Sequence, residues 1–190
     1  MPSRTEPSAR ENIRFCLLRH AEAVDERRDL YDGARYLTAA GRQAASRAGQ
    51  QLTQYFAGYL RCIGGLTHAE LDAVRIVSSP LVRAIQTAEL AAAHFGIELD
   101  VGCEPLLAPG SDIAQLVQRL QRSARCDLLI VVGHEPGLSA LGAELTGDGQ
   151  FPLLEKAQAA HIENGELRWL WANHAAAPEV LTRLASVRDT

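Results

Sequence analysis

The apolar positions of this chain fall into short runs and long stripes that alternate. Residues 13–18 (IRFCLL) form an apolar run that stops at Arg19-His20, as a strand covered on both faces does. Residues 21–35 are dense in charge and carry Asp32-Gly33, which predicts a loop. Beyond Thr38, the residues Ala45, Ala48, Leu52, Tyr55, Phe56 and Tyr59 recur along one helical face, so a helix capped by Thr38 is expected to reach residue 59. Residues 74–77 read as a second strand. Ser79-Pro80 then predicts a helix start, because serine accepts free N–H groups and proline is tolerated in a first turn. Leu81, Ala84, Ile85, Ala88 and Ala92 give that helix its buried stripe. Residues 99–101 predict a short third strand, and Asp112 a cap for a helix carrying Ile113, Leu116, Val117 and Leu120. The run 128–132 (LLIVV) gives the strongest strand signal and stops at Gly133-His134, with a helix from Pro136 to residue 145. Residues 157–162 and 167–171 flank Asn164-Gly165 as a hairpin would. The apolar spacing of residues 180–184 suits a short closing helix.

Strands alternating with helices predict an α/β fold, a three-layer α/β/α sandwich with a mainly parallel central sheet. The domain is expected over residues 13–175, after a mobile lead-in at 1–12 and before a tail or short helix at 176–190. In such sheets ligands bind at the carboxyl ends of the strands. Three predicted strands end there in polar residues: Arg19-His20, Ser78-Ser79 with Arg83 one turn on, and His134. Strand formation does not require this. Two histidines and two arginines are thereby expected in one small volume.

Composition adds limits. With 190 residues, 47% hydrophobic and 22% charged, the chain suits one globular domain and excludes disorder. A net charge of −4 argues against a nucleic-acid partner, which would need a concentrated basic face. No apolar run is long enough for a membrane span, and residues 1–14 lack the apolar core of a secretory signal, so a cytoplasmic location is expected. The four cysteines (16, 62, 103 and 126) show no zinc-type spacing and read as buried, reduced thiols. Of the 19 basic residues only Lys156 is lysine, which leaves 18 arginines. Arg42, Arg47, Arg119 and Arg122 fall at exposed helical positions where lysine would serve equally well. Arg19 and Arg83 do not.

Guanidinium forks match phosphate oxygens, and fixed cations oppose protonation of a neighbouring histidine. A neutral imidazole is a nucleophile. The set therefore permits in-line attack on a phosphoryl group by one histidine, with the arginines and the second histidine stabilising the equatorial oxygens. Neither metal nor cofactor is required.

These residues carry a resemblance. Arg19-His20-Ala21-Glu22 resembles the RHG/RHA signature of the histidine phosphatase superfamily, which includes the phosphoglycerate mutases. Residues 78–88 (SSPLVRAIQTA) are similar to its second signature, and Val132-Gly133-His134-Glu135-Pro136 resembles its third. The compact length and residues 35–41 (RYLTAAG), together with Leu107-Ala108-Pro109 and Asp112, resemble the SixA-like branch, the protein phosphohistidine phosphatases.

The resemblance implies a phosphoglycerate mutase-like fold and a metal-independent phosphatase. His20 would be the nucleophile that becomes phosphorylated, and Arg19, Arg83 and His134 the rest of the phosphate pocket. Arg35 matches an arginine assigned to phosphate or substrate contact; a loop salt bridge is the alternative. The carboxylate that the wider family uses as its acid is replaced by Leu106. Glu104 is out of register, and Asp32, placed by its position relative to Arg35, has the better claim to proton transfer. A missing strong acid suits a phosphoramidate, whose imidazole leaves more readily than an alkoxide. The implied partner is a phosphorylated substrate, displayed as phosphohistidine on a protein domain. The alternatives are a small-molecule phosphomonoesterase of the same superfamily and a non-catalytic phosphate-recognising module. A mutase would need a closing lid, for which the chain is short.

Overall fold

A computed structural model describes residues 14–62, 74–96, 101–123, 126–174 and 179–180. Among them the chain runs β1 (Arg14–Arg19), α1 (Ala39–Cys62), β2 (Val74–Ser78), α2 (Val82–Phe95), β3 (Val101–Cys103), α3 (Ile113–Ser123), β4 (Leu128–Gly133), α4 (Gly137–Thr146), β5 (Ala159–Glu163), β6 (Glu166–Trp171) and β7 (Glu179–Val180). One seven-stranded sheet has the order β3-β2-β4-β1-β5-β6-β7. β3, β2, β4 and β1 pair in parallel. From β5 onward the pairing is antiparallel, so the sheet is mixed, with a parallel half and an antiparallel half.

β1 and β4 are buried along both faces, which is why they read as unbroken apolar runs rather than alternating ones. Along β1, Cys16 and Leu18 join one core, with Leu52 and Phe56 of α1 and Ala84, Ala88, Ala91 and Ala92 of α2. Phe15 and Leu17 face the opposite core, with Leu116 and Leu120 of α3 and Leu138 and Leu141 of α4. Two helices therefore cover each face of the sheet. The alanines have a packing role: a methyl at Gly49 of α1 would lie 2.6 Å from Ala91 Cα of α2, so these helices touch backbone to backbone.

Most elements lie where the pattern predicts. Thr38 Oγ1 accepts the Gly41 N–H at 2.9 Å, and Asp112 Oδ1 the Gln115 N–H at 3.1 Å, the two expected caps. Asn164 and Gly165 turn the hairpin with φ of 54° and 72°. Four expectations need correction. α2 starts at Val82, with Leu81 as its cap residue and no side-chain cap bond, and Ser79 Oγ accepts only the Leu81 N–H, at a long 3.4 Å. Glu179–Val180 pair with Leu170 and Trp169 as a short strand, so sheet structure continues past residue 175 where a tail or closing helix was expected; residues 181–190 lie outside the described set, as do residues 1–13. Cys103 is exposed, whereas Cys16 is buried and its thiol pushed up by desolvation. Finally, Arg42, Arg47 and Arg119 are exposed as expected but are not unpartnered surface charges. They donate to Leu37 O, Asn173 Oδ1 and Glu104 Oε2 respectively.

Candidate active site

The carboxyl ends of β1, β4 and β2 are neighbours in the sheet, so their terminal residues meet. His20 continues from β1 and donates its backbone N–H to Gly133 O at 3.0 Å. Ser79, after β2, donates its own to Val132 O at 3.0 Å, and His134 follows β4 directly. The rings of His20 and His134 lie with centroids 4.9 Å apart, and both residues are buried.

His20 Nδ1 lies 2.7 Å from Ala21 O. A carbonyl only accepts, so Nδ1 carries the proton and Nε2 keeps its lone pair. Arg83 Nε approaches that lone pair at a long 3.4 Å. Burial, and behind it the charges of Arg83, Arg19 and Lys156, lowers the His20 pKa to about 4 although the bond to Ala21 opposes this. Burial, then His20 and Arg83, takes His134 to about 3. Both rings are neutral at physiological pH. The sequence points to cationic neighbours as the cause, but desolvation is the larger contribution.

The segment 79–87 organises the rest. Ser79 Oγ lies 2.8 Å from His134 Nε2. Arg83 donates through Nη1 to Asp32 O at 2.7 Å and through Nη2 to Asp32 Oδ2 at 3.1 Å. Gln86 Oε1 accepts the Leu37 N–H, and Thr87 Oγ1 the Ala21 N–H, fastening the first loop to α2. Ser79, Gln86 and Thr87 are positions whose site roles the sequence pattern alone does not single out. A signal is nonetheless present in the signature itself, since polar side chains recur through a helix start that a buried stripe alone would not need.

Arg19 donates Nη1 to Leu154 O at 2.7 Å, while its Nε is buried with no partner, as is His134 Nδ1. Asp32 sits between two guanidiniums, with Oδ1 3.0 Å from Arg35 Nη1. Burial raises its pKa, but bonds and charge from Arg83 and Arg35 outweigh this and hold it below the usual carboxylate range. Arg35 also donates Nε to Val24 O at 2.7 Å, so it reaches the site through Asp32. Glu104 lies apart from this group's bonds: Oε1 caps Leu106 N at 3.1 Å and Oε2 accepts from Arg119 at 2.6 Å. Leu106, with Leu107, Ile113, Leu116 and Leu138, lines a small apolar recess that reaches His134. Among the described residues no cluster suited to a metal ion is present. Nor is any helix there long and apolar enough to cross a membrane.

Residues 15–108 match the family model of the histidine phosphatase superfamily, branch 1. The chain belongs to the histidine phosphatase superfamily. His134 lies beyond the matched span, yet the fold carries it to the ring of His20. Among solved structures, the protein histidine phosphatase SixA complexed with tungstate superposes with a TM-score of 0.67 at 21% identity, over 85% of this chain and 97% of that one. A candidate phosphohistidine phosphatase SixA from Agrobacterium tumefaciens gives 0.65 at 20% identity, over 84% and 97%. A mycobacterial glucosyl-3-phosphoglycerate phosphatase gives 0.51 at 19%, over 79% and 89%. At these identities the neighbours share the superfamily's fold. A search of curated proteins found no significant match.

Proposed function

We propose that this superfamily phosphatase acts on phosphohistidine carried by a protein, and that it does so through a phosphohistidine intermediate on His20. One observation carries the reading. Beside a neutral imidazole whose Nε2 lone pair meets only the long 3.4 Å approach of Arg83 Nε, Arg19 Nε and His134 Nδ1 are buried polar atoms without partners. Unpaired buried donors of this kind are costly, and an oxyanion supplies their acceptors. The SixA neighbour holding tungstate, a tetrahedral oxyanion, supports the same use of the fold.

In the first step the Nε2 lone pair of His20 forms a bond to phosphorus as the P–N bond of the substrate breaks. The departing imidazole, protonated on its other ring nitrogen, takes the electron pair and leaves as the neutral ring. Arg19, Arg83 and His134 Nδ1–H hold the equatorial oxygens while charge redistributes. In the second step water attacks phosphorus, the P–Nε2 bond breaks back onto His20, and inorganic phosphate leaves. Asp32 accepts a proton from the attacking water. A bound phosphoryl group draws Arg83 away from the carboxylate and adds negative charge beside it, and both effects raise its pKa toward the working range. Arg35 positions Asp32 through the 3.0 Å ion pair.

The leaving-group side favours a phosphoramidate over an alkyl ester. Leu106 faces the recess at His134, and both oxygens of Glu104 are engaged by Leu106 N and Arg119, so neither residue supplies a free acid there. The test is incubation with a phosphohistidine protein and with alkyl phosphates, comparing wild type with His20→Ala. Turnover of phosphohistidine, with acid-labile phosphate trapped on His20, is the expected result. Phosphate trapped on His134 would reverse the two roles, and turnover of esters alone would make this a small-molecule phosphomonoesterase.

A further inference from the structure

The chain has one lysine, Lys156, and the loop that carries it is built onto Arg19 and His20. Arg19 donates Nη1 to Leu154 O at 2.7 Å and its backbone N–H to Gln158 O at 3.0 Å. In return the Ala157 N–H is shared between Arg19 O at 3.2 Å and His20 O at 3.3 Å. Residues on both sides of Lys156 are therefore bonded to the pair that begins the phosphate cradle. Gln158 closes the turn between them: its N–H donates to Glu155 O at 3.0 Å, and its Oε1 accepts the Glu155 N–H at 2.6 Å. Ala157 takes φ of 58°, a left-handed conformation that a residue with a Cβ rarely adopts. Its shared bond to Arg19 and His20 holds it there.

Lys156 is exposed, and among the described residues its ammonium has neither an ion pair nor a hydrogen bond. A free surface lysine is ordinary. This one differs because its charge is felt at the His20 ring, where it joins Arg83 and Arg19 in opposing protonation. Those two arginines are committed in the resting structure, Arg19 Nη1 to Leu154 O and both Arg83 Nη groups to Asp32. Of the three cations acting on His20, Lys156 alone gives up no protein bond when an oxyanion arrives. An ammonium on a flexible four-carbon stem is a mobile point charge with three donors. It can follow oxygens that shift as phosphorus passes from the substrate to His20.

From the way this loop is bonded to Arg19 and His20, we infer that Lys156 is a further phosphate-binding residue, whose ammonium closes onto the phosphoryl oxygens at His20. The inference rests on the reading of His20 as the phosphate centre. It does not depend on which leaving group the phosphoryl group came from.

A sole lysine makes the test direct. Apart from the chain's α-amino group, Lys156 is the only primary amine, so its rate of reductive methylation can be followed by mass spectrometry on the wild-type protein. The α-amine serves as the internal control. Inorganic phosphate is the probe, and its binding is measured in parallel by titration calorimetry. Saturating phosphate is expected to slow methylation of Lys156 by about fivefold or more relative to the α-amine. Lys156→Met is expected to weaken phosphate binding about fivefold, the scale of one charge-assisted hydrogen bond at an exposed group, and Lys156→Arg to restore most of it. The ratio between wild type and Lys156→Met is expected to persist in about 0.5 M sodium chloride, where attraction between more distant exposed charges is screened. Phosphate binding that leaves Lys156 unprotected overturns the inference while the His20 site stands. A ratio that collapses in salt also overturns it, because Lys156 would then act only as a distant charge. Failure of wild type to bind phosphate, or binding unaltered by Arg83→Ala, overturns the reading of the site itself.

Discussion

Ser79 Oγ lies 2.8 Å from His134 Nε2, and both residues are buried. The hydroxyl also receives the Leu81 N–H at 3.4 Å, which leaves its own proton free to face the ring. With that proton on the Nε2 side, His134 carries its hydrogen on Nδ1, the buried atom without a partner. Ser79 is thus a positioning residue that sets a tautomer.

Nitrogen chemical shifts of His134 are expected to report the Nδ1–H form in wild type and a loss of that preference in Ser79→Ala. The same variant is expected to lower kcat about five- to tenfold, the scale of one hydrogen bond, with a smaller change in KM. An unchanged tautomer in Ser79→Ala would remove the role.

Asp32 occupies Arg83 in the resting structure through its carbonyl and its carboxylate. A phosphoryl group must compete with that carboxylate. Asp32→Ala is therefore expected to bind inorganic phosphate more tightly, by about fivefold, since an anion competing for the same fork is gone. The same variant is expected to accumulate phosphorylated His20, because the proposed second step loses the group that takes the proton from water. Equilibrium titration with phosphate checks the first half, and rapid-quench measurement of acid-labile phosphate the second. Weaker phosphate binding in the variant would show that Asp32 orients the arginine rather than competing for it.

The four central residues were legible because each sits where local pattern and topology agree. An apolar run stopping at a histidine, and an arginine one turn into a helix, can be placed from the order of residues alone. Ser79 was legible only in part: a serine before proline and an apolar stripe reads as a cap, and the bond that redirects it comes from the end of β4, far away in sequence. Glu104 and Arg119 were unreadable as a pair for a similar reason, since nothing local announces an ion pair between a strand-end loop and α3. Val180 shows the limit of periodicity. Spacing alone suited a helix, but the free edge of β6 accepted Glu179–Val180 as a strand.

Three buried histidines make stability depend on pH. Burial is the first cause in each: His20 and His161 are lowered to about 4 and His134 to about 3. An unfolded histidine takes up its proton near pH 6.5, so between there and about pH 4 the unfolded chain binds more protons than the folded one. Stability is complete above that window and falls as pH drops through it. His161 lies outside the active site, packed on Phe56 and Trp169 with both ring nitrogens unpartnered. His161→Phe is expected to flatten the acid slope of a urea-melt series by roughly a third, one of three titrating groups, and to leave kcat unchanged. A slope unaltered in the variant would place the acid sensitivity elsewhere.

The pH profile of catalysis follows from the same values. Because His20 is neutral far below its ordinary range, kcat/KM corrected for substrate ionisation is expected to hold its plateau down to about pH 5 and then fall. The two histidines face each other at 4.9 Å, so the limb reports the pair and not one residue. An acid limb near pH 6.5 would mean that the rings are not desolvated in solution.

Leu106 supplies the sharpest test of substrate class. It is half-buried and lines the recess at His134, and it stands where the resemblance puts the wider family's acid. An imidazole leaving from phosphorus depends less on that proton than an alkoxide does. Leu106→Glu places a carboxyl group in an apolar wall, where desolvation favours its protonated, acidic form. Hydrolysis of an alkyl phosphate such as glycerol phosphate is then expected to rise by about tenfold or more in kcat/KM, the lower range of general acid catalysis. Phosphohistidine turnover is expected to fall, because the new group removes apolar surface from the recess. A variant that stays folded and gains no ester activity would show that the missing acid does not limit ester hydrolysis, and the proposed choice of a phosphoramidate would lose that support.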